Sequence, residues 1–145
     1  MTQPTINPDE TVRDAAKNQR PSEIKIGVLY AFYDMPDLVH DMMRRWMELM
    51  DTALEKIQER VELDELWMAE DICYNAGMLI SPGTFREFLM PYYQEVIGRA
   101  RRRQRKKLYF GVDTDGYAPE AIPLYLELGM DLMMPFEVAA GGDVV

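Results

Sequence analysis

The chain has 145 residues, enough for one domain with a sizeable core. It is 48% hydrophobic and 28% charged, with no apolar run near the length of a membrane span; that excludes a membrane-spanning helix and describes a soluble globular protein. The formal net charge of −9 argues against general nucleic-acid binding, and the single cysteine, Cys73, excludes an internal disulfide and argues against a zinc cluster. Met1 to Arg20 is polar and shows no signal-peptide pattern, so a reducing, cytoplasmic setting is expected.

Met1 to about Ser22 carries Pro4, Pro8 and Pro21 among polar residues. This composition predicts a disordered or loosely attached arm over residues 1–23, followed by one folded domain over 24–145. Ile24 to Tyr33 (IKIGVLYAFY) fits a buried strand or a short helix by period. Asp34 is expected to cap a long helix starting near Pro36. The apolar positions Val39, Met42, Trp46, Leu49, Ala53, Ile57 and Val61 keep steps of three and four over about six turns. Its methionines read as core packing rather than a soft-metal site, and His40 as a surface histidine.

Three strand–acid–helix units follow. In the first, the apolar run Leu66 to Ala69 ends in Glu70 and Asp71, and a polar loop holds Asn75 and Gly77. Ser81 suits a helix N-cap and Pro82 the first helical position, where its missing N–H costs nothing. Pro91 is expected to interrupt that helix, which resumes through Tyr92, Val96 and Ile97. It ends in the basic run Arg99 to Lys107, read as solvated cations complementing the helix dipole rather than a polyanion site, because no aromatics interleave with them. In the second unit, Leu108 to Val112 is a strand broken by Asp113-Thr114-Asp115-Gly116. A helix from about Pro119 to Leu128 follows and stops at Gly129. The third unit has Leu132 to Phe136 as strand, weakened by Pro135, with Glu137 at its end.

Successive βα units imply parallel strands whose C-terminal ends share one side. That predicts an α/β fold with Glu70, Asp71, Asp113, Asp115 and Glu137 together on one rim. Clustered carboxylates can share protons as acid and base, hold a hard cation such as Mg²⁺, or bind a cationic or polyhydroxyl ligand. The alternative is that Asp34, Asp71, Asp113 and Asp115 cap turns and helices, and Asp115-Gly116 in particular fits a tight turn. Cys73 lacks a second histidine to activate it, and Gly141-Gly142 is too little for a phosphate loop.

The segments EDICYNAGMLISPGTFREFLMPYY, VDTDG and PFEVAAGGDVV, in that order and preceded by LYAFYDMPDLVHDMM, resemble the uroporphyrinogen decarboxylase family, and within it the decarboxylase-like and corrinoid-linked methyltransferase branches. The resemblance covers about Gly27 to Val145 and implies that Gly27 to Tyr33 is helical. It implies a TIM barrel, (β/α)₈, with its site at the strand C-termini. It also implies either cofactor-free decarboxylation of a tetrapyrrole, a lyase step of porphyrin biosynthesis, or methyl transfer from a corrinoid to a zinc-activated thiol. Asp113-Thr114-Asp115 stands where the methyltransferases carry a His-x-Cys zinc pair, so zinc is not expected, whereas Mg²⁺ or a corrinoid remains open for a completed barrel. On this reading Asp71, Asp113 and Glu137 are the catalytic candidates, and Glu70, Tyr74, Asn75, Asp115 and Tyr117 the substrate-binding ones. A barrel takes roughly 250 residues, and only three strands are legible here. The expected partners are therefore a small-molecule substrate (a tetrapyrrole or a methylated compound) and either an N-terminal half or a second copy to complete the barrel. Activity is expected to depend on that completion; a non-catalytic interaction module is the alternative.

Overall fold

The computed structural model describes residues 21–142. The expected N-terminal arm lies outside them up to Arg20, and helix α1 (Pro21–Asp34) begins just beyond. The run that fitted strand or helix is therefore helix. Ala31 is buried against Val39 and Phe88, and Phe32 meets the Phe88 ring edge-on at 5.2 Å. Asp34 closes α1 rather than capping the next helix. Pro36 disfavours helical geometry in the residue before it, so Met35 (φ −142°, ψ 56°) takes the N-cap of α2 (Pro36–Gln58) without a side-chain acceptor.

The stripe that α2 buries also differs from the expected one. Val39 and Leu54 are buried, with Met43, Trp46, Met47 and Met50 packed beside them, whereas Met42, Leu49 and Ile57 are exposed and Val61 lies past the helix end. Apolar residues cover a wide arc of α2, so several three–four ladders fit it, and only contact with the neighbouring helices selects one. His40 is not a surface histidine. Its ring stacks on Phe88 at 4.6 Å and its Nδ1 lies 3.0 Å from the Tyr92 hydroxyl.

Strand β1 (Glu65–Ala69) leads to a two-stranded hairpin, β2 (Cys73–Tyr74) and β3 (Gly77–Met78), where sequence predicted a loop. Two-residue strands are too short to show alternation. Ser81 then caps α3 (Pro82–Phe88), its Oγ accepting from the Thr84 N–H at 3.0 Å. The chain breaks at Leu89, and α4 (Met90–Arg102) restarts with Pro91 in its first turn. Strand β4 (Tyr109–Asp113) is followed by α5 (Ile122–Leu128), which starts three residues later than expected and ends at Gly129 in the left-handed region (φ 84°). Strand β5 (Leu132–Met134) stops before Pro135, which has no N–H to continue a ladder, so it is shorter than the expected Leu132 to Phe136. A 3₁₀ turn, Val138–Ala140, follows.

The three long strands form one parallel sheet in the order β1-β4-β5. One face carries the core: Met68, Phe110 and Val112 pack with Tyr93, Val96, Ile97 and Ala100 of α4 and with Leu124, Tyr125 and Leu128 of α5. Phe85, Phe110 and Val112 are fully enclosed, and burying each contributes about 1.5–3 kcal/mol. Among the described residues nothing covers the opposite face. Its rows, read from the register, are Glu65 beside Tyr109, Trp67 beside Gly111 and Leu132, and Ala69 beside Asp113 and Met134. Trp67, Tyr109, Leu132 and Met134 are each about two-fifths exposed there. A Cβ at Gly111 would sit 2.6 Å from the Trp67 ring, so glycine is what lets the indole lie against the sheet.

Candidate functional site

The C-terminal ends of the strands are locked to one another beyond the regular ladder. The Glu70 N–H donates to the Asp113 carbonyl at 2.8 Å, and the Thr114 N–H donates to the Met134 carbonyl at 2.8 Å. After Asp115 the chain turns sharply at Gly116 (φ 88°), packed so closely on the hairpin that a Cβ would lie 3.0 Å from backbone atoms of Cys73 and Tyr74. The Gly116 N–H donates to Glu137 Oε2 at 2.8 Å, and the Tyr117 N–H donates to the Tyr74 carbonyl at 3.0 Å. One glycine thus brings the hairpin, the β4 loop and the residue after β5 together.

Alternation then sorts the β4 end. Asp113 belongs to the bare face, while Thr114 turns to the other side and is fully buried. Asp115 is exposed, and its carboxyl is held above the ordinary range by Glu137 first, then by burial and by the charges of Asp71 and Asp113. Asp71, Asp113, Asp115 and Glu137 lie at or just after the C-terminal ends of the parallel strands, the end expected to carry a rim.

Glu70 does not share it. Its side chain turns inward and accepts a hydrogen bond from the Tyr93 hydroxyl. Burial pushes its carboxyl upward, the Tyr93 bond partly offsets that, and Asp71 adds a smaller upward push. Burial and Glu70 in turn push the Tyr93 phenol far up, leaving it a permanent donor at neutral pH. Tyr125 and Thr114 are buried in the same region; burial raises the Tyr125 phenol as well, and the neighbouring Thr114 hydroxyl partly offsets that. Cys73 is buried and burial pushes its thiol up, so it is not an activated nucleophile. Sequence reading missed this polar pocket beneath the rim. Tyr93 looked like helix core, and only strand alternation marked Thr114 as inward-facing.

The remaining candidates are spread around the rim. Tyr74 and Asn75 are exposed on the hairpin, and Tyr117 is half-buried, with its ring 3.7 Å from where a Gly141 Cβ would stand. Among the described residues no group of three or more His, Cys, Asp or Glu side chains is arranged to hold a metal ion.

The basic run lies at the opposite end of the strands, and its cations are paired rather than merely solvated. Arg99 bonds Asp51 and Glu95, each at 2.7 Å, and Arg103 reaches Asp51 at 2.5 Å. Arg101 bonds Asp131 and the Gly129 carbonyl, Lys107 reaches Asp131, and Lys106 pairs with Asp64. Asp64 and Asp131 immediately precede β1 and the β5 residues, so the run ties α4 to α2 and to the strand entrances.

Comparison of the chain with protein-family models, with curated proteins and with solved structures gives no significant match. Among the described residues no helix is long and apolar enough to cross a membrane.

Proposed function

We propose that the chain is the C-terminal part of a uroporphyrinogen decarboxylase-like (β/α)₈ barrel, acting on a tetrapyrrole or a corrinoid-related methylated compound once the barrel is complete. One observation carries this reading: at the C-terminal end of the middle strand, Asp113 stands on the apolar face that the described residues leave uncovered, while the helices pack on the other face. In a closed barrel that face lines the interior, and the strand C-termini form the mouth. Trp67, Leu132 and Met134 would give an apolar wall for a flat macrocycle. Asp113, Asp71 and Glu137 would accept its pyrrole N–H groups or hold a cationic centre, and orient the carboxyl or methyl group that leaves. Glu70, held through Tyr93, would set the local charge from beneath. Tyr74, Asn75, Asp115 and Tyr117 are placed around the same opening.

The test is turnover and ligand-dependent thermal shift of the full-length protein from its source. A chain of roughly 250 residues or more that decarboxylates a uroporphyrinogen, or transfers methyl to or from a corrinoid, supports the reading. Absence of both activities and of any thermal shift with either ligand rejects it. The bare sheet face also favours a second reading, a non-catalytic module whose sheet receives a partner or a second copy; that protein would gain stability from the partner and from neither small molecule.

A further inference from the structure

A cleft lies between α1 and the arms of the β2–β3 hairpin. It holds about 380 Å³, within the range of small-ligand sites. Leu29 and Phe32, one turn apart on α1, form one wall; Ile72 and Ile80, flanking the hairpin, form the other; Leu89, at the break between α3 and α4, contributes a fifth apolar surface. The walls are held without a ligand. The Leu79 N–H donates to the Ile72 carbonyl at 2.7 Å, closing the hairpin arms, and Phe32 is fixed edge-on against Phe88. Among the described residues, the one charged residue on the lining is Asp71. A carboxylate beside an otherwise apolar surface selects by charge: an anionic head is repelled, a neutral one gains little, and an ammonium gains an ion pair along with burial of its body.

We propose that this cleft binds a small apolar molecule bearing an ammonium group, its body against Leu29, Phe32, Ile72 and Ile80 and its cation on the Asp71 carboxylate. The proposal does not depend on completion of a barrel, because every wall belongs to this chain. Asp71 then stands between two sites, since it also acts on Asp115 at the rim.

The experiment is isothermal titration of the protein at pH 7 with 4-phenylbutylamine and with 4-phenylbutanol, which share a body and differ in charge. The amine is expected to bind roughly 1.5- to fivefold tighter, the span of a partly exposed ion pair. D71N should remove that preference and leave the alcohol's affinity unchanged, and L29W, which fills the cleft, should weaken both ligands at least tenfold. No binding of either ligand to the native protein, equal affinity for the two, or a preference that survives D71N would each overturn the proposal. So would undiminished binding to a folded L29W variant. Should L29W not fold, D71N decides alone, because Asp71 is exposed and its replacement removes no core packing.

Discussion

Replacing Asp51 by Asn tests whether the basic run is structural. Asp51 is only 8% exposed, with Arg99 on one oxygen and Arg103 on the other. A hydrogen bond to a charged group contributes about 1.5–3 kcal/mol. The Arg99 side chain is 40% exposed, so water screens its half of the arrangement, and Asn can still accept one N–H. The expected loss is therefore about 2 kcal/mol at pH 7, or about 6–10 °C in melting temperature for a domain of this size. Burial alone would push the Asp51 carboxyl up, but the hydrogen bonds and charges of Arg99 and Arg103 outweigh it and hold the group below its ordinary value of 3.8. A folded value below the unfolded one means stability that is present above pH 3.8 and lost as pH falls through the depressed folded value. Urea unfolding followed by circular dichroism should show D51N well below the native protein at pH 7, with the gap closing toward pH 3. A gap of the same size at both pH values, or none at pH 7, would refute the argument.

Glu70→Gln reports the opposite sign. Burial raises the Glu70 carboxyl above its ordinary value of 4.5, so the native protein loses stability as pH rises from 4.5 through the raised folded value. Gln keeps an acceptor for the Tyr93 hydroxyl and carries no charge, so the variant should melt higher than the native protein at pH 8 but not at pH 4; a constant difference would mean Glu70 is not buried. Gly111→Ala places a methyl 2.6 Å from the Trp67 ring, forcing the indole off the sheet. In a background where Trp46 is Phe, tryptophan emission should shift to the red, with about 1–3 kcal/mol of stability lost to overpacking; an unchanged spectrum would show that the ring does not lie there. On the proposed function, Asp113→Asn in the full-length protein should lower turnover on the order of 100-fold or more while circular dichroism stays unchanged, the range for a positioned acid or base. Native turnover would remove Asp113 from the site.

Local chemistry made several features legible in the sequence. Ser81-Pro82 starts a helix because its hydroxyl serves an orphan N–H and its proline lacks one, and Gly129 ends one because only glycine takes the left-handed cap cheaply. The apolar runs ending in acids announced parallel strands, and with them the placement of Asp71, Asp113, Asp115 and Glu137 at the strand C-termini. The rest depended on contacts distant in sequence. Nothing local told Met43, Met47 and Met50 from Met42 and Leu49, because both sets obey the helical period and only packing against α4 and the sheet decides between them. His40 looked like a surface residue until Phe88 and Tyr92, some fifty positions on, enclosed it. Glu70 and Asp71 are neighbours in the chain, yet one turns into the protein toward Tyr93 and the other stays with the rim and the α1 cleft. Sequence sets which groups reach a strand end; only the tertiary fold sets which of them water still reaches, and with it each group's charge and role.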